Sequence, residues 1–360
     1  MTQQAICVLN AGSSSLKYAL YEAGPVPRRL TAGQIEQVTD HAAALALVPV
    51  PDTVAAFGHR VVHGGPDLAE PVLIDAGTLA RIEAVSPLAP LHNPPALAVI
   101  RAMNARFPGV AHVACFDTAF HRGHPAVADR FAIPDALYQE GVRRYGFHGL
   151  SYEYVASVLE TLAPAVAKGR VVVAHLGAGA SMCGLVGGRS VDSSMGFTAL
   201  DGLPMGTRSG SLDVGVILWL QQVKGWSAAR VEQFLYQECG LKGLSGVSND
   251  MRVLLASEAP LARLAVDYFV YHVARMAGAL AASTGGLDAL VFTAGIGERS
   301  PQIRARVLRR LGWMGFELDD AANQNGGALL TSASSRLPAY SIATDEEGVI
   351  ARHTSRLIGL

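Results

Sequence analysis

The chain has little that would tie it to a membrane, a nucleic acid or an oxidising compartment. Its 360 residues hold only four cysteines, Cys7, Cys115, Cys183 and Cys239, widely spaced and without a Cys-x-x-Cys pair. That spacing argues against a disulfide framework and reads as buried thiols in a reducing compartment. An excess of one charge is missing too. The 29 Lys and Arg nearly cancel the 30 Asp and Glu, so no basic field invites nucleic acid or an anionic membrane. No apolar run is long enough to span a bilayer, and the N-terminus lacks the cationic region of a secretion signal. No Gly-x-x-x-x-Gly-Lys-Ser/Thr phosphate loop is present either. Half the residues are apolar and 16% are charged, as in an ordinary globular protein. The length exceeds what one core usually fills, so two domains and a cytoplasmic enzyme are expected.

The most informative stretch that is present runs from Asn10 through Gly12, Ser13, Ser14 and Ser15 to Lys17, between apolar runs at 6–9 and 16–21. A tight turn there gathers amides, hydroxyls and an ammonium, which suits a phosphate. By itself it reads equally as a Ser-rich hairpin. Further strand-like runs fall at 54–62, 110–116, 171–176, 182–186 and 289–293. Helical patterns fall at 96–107 behind Asn93-Pro94-Pro95, at 152–162 behind Ser151, and at 228–239 behind Ser227. Two more fall at 261–283 behind Pro260 and at 347–357. Mixed elements of this kind predict α/β layers. The strand–turn–strand theme recurs at His175-Leu176-Gly177-Ala178-Gly179. A third small-residue turn, Thr293-Ala294-Gly295-Ile296-Gly297-Glu298, follows a strand and precedes a helix. Three such turns suggest two related domains offering phosphate turns to one cleft.

Several residues could carry chemistry, each with a plainer alternative. Arg60 sits inside an apolar strand pattern and needs an anion, either a ligand or a neighbouring carboxylate. His59 and His63 lie too far apart on a strand to chelate easily. Asp117 ends a strand, where α/β proteins bind ligands, or it caps a turn. His148, between two glycines, could donate to developing negative charge or be an ordinary loop histidine. Arg208 could close over a phosphate or be solvated. Asp250-Met251-Arg252 lines a nucleotide pocket or starts a helix. Thr344-Asp345-Glu346-Glu347 is a helix cap or an acidic Mg2+ site.

Taken in order, these segments resemble the acetate kinase family (acetate/propionate kinases). The resemblance spans nearly the whole chain and includes Leu88-Ala89-Pro90-Leu91-His92-Asn93-Pro94 and Met205-Gly206-Thr207-Arg208-Ser209-Gly210. It implies two α/β domains of the actin, hexokinase and Hsp70 ATPase fold around a nucleotide cleft, 1–120 with 346–360 and 121–345. It implies a homodimer that converts ATP and acetate to ADP and acetyl phosphate with Mg2+ or Mn2+. By position, Asn10 and Glu346 belong to the metal site. Ser13, Ser15 and Lys17 lie near the phosphates. Arg60 holds the carboxylate, with Val62, Leu91 and Phe147 around its alkyl group. Asp117, His148 and Arg208 are catalytic, with His92 and His175 nearby. The loop His175, Leu176, Gly177, Ala178 and Gly179 faces the phosphates. Asp250, Met251 and Arg252, with Gly295, Ile296, Gly297, Glu298 and Arg299, take the nucleotide. Departures from the family pattern are Ala178 and Arg299 where Asn is usual, Met251 for Phe, Ser211 for Asp, Val214 for Pro and Ala199 for Pro. The small Ala199 could admit propionate, since one methylene is worth only about 1–3 kcal/mol.

Overall fold

A computed structural model describes residues 4–12, 15–38 and 40–360. Two mixed sheets dominate it. The first holds β1 (Ala5–Ala11), β2 (Ser15–Glu22), β3 (Arg28–Glu36), β4 (Val54–Val61), β5 (Val72–Leu73) and β6 (Ala111–Phe116), in the order β3-β2-β1-β4-β6-β5. The second holds β7 (Arg170–Leu176), β8 (Ala180–Val186), β9 (Arg189–Ser193), β10 (Ala289–Thr293) and β11 (Ala339–Ser341), in the order β11-β10-β7-β8-β9. Each sheet is an antiparallel three-strand meander whose first strand also pairs in parallel with a later strand: β1 with β4, and β7 with β10. The repeated theme in the sequence is therefore a repeated topology, with the β1–β2 turn corresponding to the β7–β8 turn.

The apolar runs of β1 and β7 are continuous because helices cover both of their faces. Along β1, Cys7 and Leu9 pack with Val99 and Met103 of the helix Asn93–Arg106. The alternate residues Ile6 and Val8 pack with Val349 and Ile350 of the helix Glu346–Leu357. Along β7, Val172 and Ala174 face Phe269 and Val273 of the helix Pro260–Ser283. Val171 and Val173 face Tyr152 and Val155 of the helix Gly149–Leu162. The helices Glu346–Leu357 and Gly149–Leu162 also pack on each other, which joins the two halves. No helix among the described residues is long and apolar enough to cross a membrane.

Two expected caps are corrected. The helix expected behind Ser151 starts at Gly149, and buried Ser151 instead meets His175. Asn93 lies inside its helix, where its amide accepts from the His63 N–H and donates to the His63 carbonyl. Ser227 and Asp345 do cap their helices, accepting from the amides of Arg230 and Gly348. The strands β3, β5, β9 and β11 stand outside the expected set. β3 is largely exposed and β5 and β11 are very short, so their patterns carry no clean apolar alternation.

Candidate active site

Because β1, β4 and β6 run parallel, their C-terminal ends deliver Asn10, Arg60 and Asp117 to one spot. Ligands collect at such strand ends in α/β sheets. Arg60 donates from Nε and Nη2 to the two oxygens of buried Asp117, at 3.0 and 2.5 Å, and from Nη1 to Asn10 Oδ1 at 3.2 Å. The Asn10 amide donates to Glu347 at 3.1 Å, and Glu346 lies 3.8 Å from Arg60 Nε. Burial alone would lower Arg60, but Asp117, Glu346 and Glu347 outweigh it and hold the guanidinium more firmly protonated than a free arginine. Asp117 is pushed up by burial against the pull of Arg60, and Glu346 is pushed up by burial with Glu347 adding to it. Glu346, Glu347 and the Asn10 amide line the cavity with oxygen donors, which suit a hard divalent cation such as Mg2+. Among the described residues no three His, Cys, Asp or Glu side chains gather as a closed metal cage. Mg2+ usually needs none, since it takes one or two carboxylates and completes its shell with phosphates and water.

Opposite this group stand His148, His175 and Arg208. The backbone at His148 is left-handed (φ +55°), and the next residue, Gly149, starts the helix Gly149–Leu162. Gly149 donates to the Asp117 carbonyl at 2.9 Å, and a Cβ there would come within 2.2 Å of that oxygen. Glycine therefore brings the two halves of the site into contact. His148 and His175 stack with centroids 4.0 Å apart and 12° between planes. Burial holds both imidazoles neutral, and that of His175 is lowered to about 3. Arg208 donates to the Ala199 carbonyl at 2.7 Å, and no carboxylate pairs with it among the described residues. Its guanidinium lies beside Gly179, whose missing Cβ would sit 2.7 Å from Nη2.

Two confluent cavities follow. One, of about 640 Å³, is polar and is walled by Asn10, Ser15, Lys17, Arg60, His92, His148, His175, Arg208, Thr344, Glu346 and Glu347. The other, of about 620 Å³, is walled by Asn249, Asp250, Met251, Arg252, Leu255, Ile296 and Ser300. Gln34, Gly177, Ala178, Gly295 and Arg299 border both. The polar end suits phosphates, and the end lined by Met251, Leu255 and Ile296 suits a nucleoside.

Most of the expected site residues thus come together, but not all in the expected way. Asp117 lies beneath Arg60 rather than on a cavity wall. Leu176 and Gly297 are buried away from both cavities. The segment expected to be a turn before a helix is itself the helix Ala294–Arg299, and the Glu298 carboxylate accepts from the amides of Ala294 and Thr344 while still bordering the polar cavity. Asp250 caps the helix Met251–Ala256 and pairs with Arg252 while also lining the cavity. Val62 and Phe147 share a buried apolar cluster with Ala89, Met195, Ala199 and Met205, whereas Leu91 is half-buried and on neither wall. Ser13 lies outside the described residues. Gln34 and Asn249 join the site without any sequence signal of their own, whereas Thr344 and Glu347 belong to the acidic segment that the sequence already offered. Gln34 was reachable only through its pairing with Lys17, which itself pairs with Asn10 across three strands.

The acetokinase family's sequence profile matches residues 43–352. An acetate kinase of Nitrobacter hamburgensis is 54% identical, the match covering 98% of this chain and 96% of that protein. One of Rhizobium meliloti is 50% identical, covering 98% of both. The structure of the Porphyromonas gingivalis acetate kinase aligns with a TM-score of 0.89 at 33% identity, covering 99% of this chain and 100% of that one. A propionate kinase from Francisella tularensis aligns with a TM-score of 0.88 at 36% identity, covering 98% and 100%. The expected actin- and hexokinase-like α/β fold is borne out by these neighbours. With the match running the length of the chain, the chain belongs to the acetokinase family.

Proposed function

We propose that this chain is an acetate kinase, a carboxyl-group phosphotransferase that moves a phosphoryl group reversibly between ATP and acetate. The observation that carries this reading is a cavity whose apolar lining suits a nucleoside, opening onto a polar one that suits phosphates and ends between Arg60 on one side and His148 and Arg208 on the other. An acetate carboxylate is ionised at neutral pH and needs no base to become a nucleophile. The task is to align two anions and offset their repulsion. Arg60 holds the carboxylate, and the Val62 and Phe147 cluster takes the methyl group. One carboxylate oxygen attacks the γ-phosphorus as the bond to the ADP oxygen breaks, in line and without a phosphoenzyme. His148 and Arg208 donate to the phosphoryl oxygens during transfer, with His92 and Lys17 adding donors around the phosphates. Asp117 fixes the orientation of Arg60. Asn10 and Glu346 would hold Mg2+, which, when bound, neutralises phosphate charge.

The division into 1–120 with 346–360 and 121–345 is supported by the helix Glu346–Leu357, which packs on β1 and β4. A homodimer is supported by Val214, Leu218, Trp219 and Val223, which leave apolar surface exposed at the helix Val214–Gln222. ATP as co-substrate suits a cytoplasmic location. The deciding experiment is trapping acyl phosphate with hydroxylamine across acetate, propionate and butyrate, with ATP or pyrophosphate as donor. Acetate with ATP should give the highest kcat/KM. No acyl phosphate from any pair would defeat the reading.

A further inference from the structure

The imidazole of His148 has a hydrogen-bonded supply line behind it that the phosphoryl-transfer reading leaves unused. Its Nδ1 lies 2.8 Å from Ser181 Oγ, and Ser181 Oγ lies 2.5 Å from the Tyr152 hydroxyl. Ser181 and Tyr152 are both fully buried, at 0% exposure. Its Nε2 faces the cleft, 3.5 Å from where a Gly179 Cβ would sit and on the same wall as Arg208.

We propose that Tyr152 and Ser181 are positioning residues that lock His148 as the neutral tautomer with its proton on Nε2, aimed at the phosphoryl group. The proposal rests on the kinase reading of the site. The hydrogens of the chain leave one consistent arrangement. Among the described residues Ser181 Oγ is the one hydrogen-bond partner of the Tyr152 hydroxyl, so the arrangement that satisfies both buried groups has the tyrosine donating to Ser181 Oγ. The Ser181 hydrogen then goes to His148 Nδ1, which must be unprotonated to accept it, and the ring proton stays on Nε2. The reverse order would leave a buried tyrosine O–H without an acceptor and would turn a bare nitrogen lone pair toward the phosphates. Burial opposes a second ring proton, and His175, Arg60, Arg208 and His92 around the ring oppose it further. Tyr152, with its hydroxyl buried, keeps its proton. A crosswise contact steadies the stack. Ser151 of the helix Gly149–Leu162 meets His175 Nδ1 of β7 at 2.9 Å, while Ser181 of β8 meets His148 at the start of that helix. Each imidazole is thus held by a serine from the opposite element. A fixed neutral donor suits the reaction, because it stabilises charge that develops in transit and carries no proton that the carboxylate or ADP could take.

The test is the 15N spectrum of histidine-labelled full-length protein, with His148 assigned through His148→Gln, alongside steady-state kinetics. The wild-type spectrum should show a protonated Nε2 and a bare Nδ1 for His148, unchanged from pH 6 to 8. Ser181→Ala should give a mixture of tautomers and lower kcat about tenfold, with both KM values within about threefold. Ser181→Thr, which keeps the hydroxyl, should restore both readouts. Tyr152→Phe keeps the buried ring and should shift the spectrum the same way with a smaller loss of kcat, so it carries the test if Ser181→Ala does not fold. A wild-type His148 protonated on Nδ1, or an imidazolium, would overturn the proposal. So would variants that leave the spectrum and kcat untouched. If the wild-type protein makes no acyl phosphate, the kinase reading fails, while the tautomer is still decided by the spectrum.

Discussion

Arg60→Met should destabilise this protein for a reason specific to Asp117. Asp117 is 1% exposed, and its carboxylate takes both of its side-chain hydrogen bonds from Arg60. Removing the guanidinium leaves a buried carboxylate without a counter-ion, a change that costs about 3–5 kcal/mol in comparable sites. The reciprocal change, Asp117→Asn, should cost less, because Arg60 keeps Glu346 at 3.8 Å and Asn10 at 3.2 Å. The double variant Arg60→Met with Asp117→Asn removes both charges and should lose at least about 2 kcal/mol less than the sum of the singles. The pH dependence has a definite sign. Burial already raises Asp117 in the fold, against Arg60's pull. Without Arg60 it rises further, so the folded variant binds a proton that the unfolded chain releases at about pH 4. Stability of Arg60→Met therefore falls as pH rises from there, and its deficit against the parent should widen between about pH 5 and pH 8. Urea unfolding followed by circular dichroism at several pH values measures all of this. A loss under about 1 kcal/mol for Arg60→Met, strictly additive singles, or a deficit that shrinks as pH rises would refute the reasoning. The double variant should regain stability without regaining turnover, since the carboxylate site would still be gone.

Two further predictions concern the cleft. Gly179→Ala puts a methyl group where Arg208 Nη2 now lies, 2.7 Å away, and the obstacle is the far end of a flexible side chain. The fold should survive with a near-parental melting temperature, while kcat falls about a hundredfold as Arg208 is pushed aside, and unchanged kcat would remove Arg208 from its assigned role. Gln34→Leu removes the polar group that the first sheet contributes to the wall of the nucleoside cavity. Its KM for ATP should rise several-fold, with the KM for acetate unchanged, and titration of ADP binding by calorimetry checks the same loss without turnover.

Much of this molecule was written locally. The buried strands β1, β4, β6, β7, β8 and β10 each lie at a run of apolar residues, because helices on both faces of a sheet demand an unbroken apolar run. The long helix Pro260–Ser283 opens on a proline and closes before two glycines, and both boundaries follow from backbone sterics alone. The clusters of small residues that follow β1, β7 and β10 were legible in the sequence. The exposed strand β3 was not, since an edge with one weakly buried face has no strong pattern to read.

The order of residues along the chain supplies the groups that could do chemistry and the strand ends that carry them. Which of two readings each group takes was decided by the tertiary structure. Arg60 had an anion to find, and the parallel register of β4 and β6 made that anion Asp117. Ser151 matched a helix cap as well as any serine could, and the approach of β7 turned it to His175 instead. Glu298 matched a small-residue turn, and the fold made that segment a helix whose Ala294 amide, with the chain arriving at Thr344, claimed its carboxylate. Partners such as these lie up to 57 residues apart in the chain. Hydrogen bonds and ion pairs reach only about 3–4 Å, so their choice belongs to the packing of sheets and helices rather than to any local run of residues.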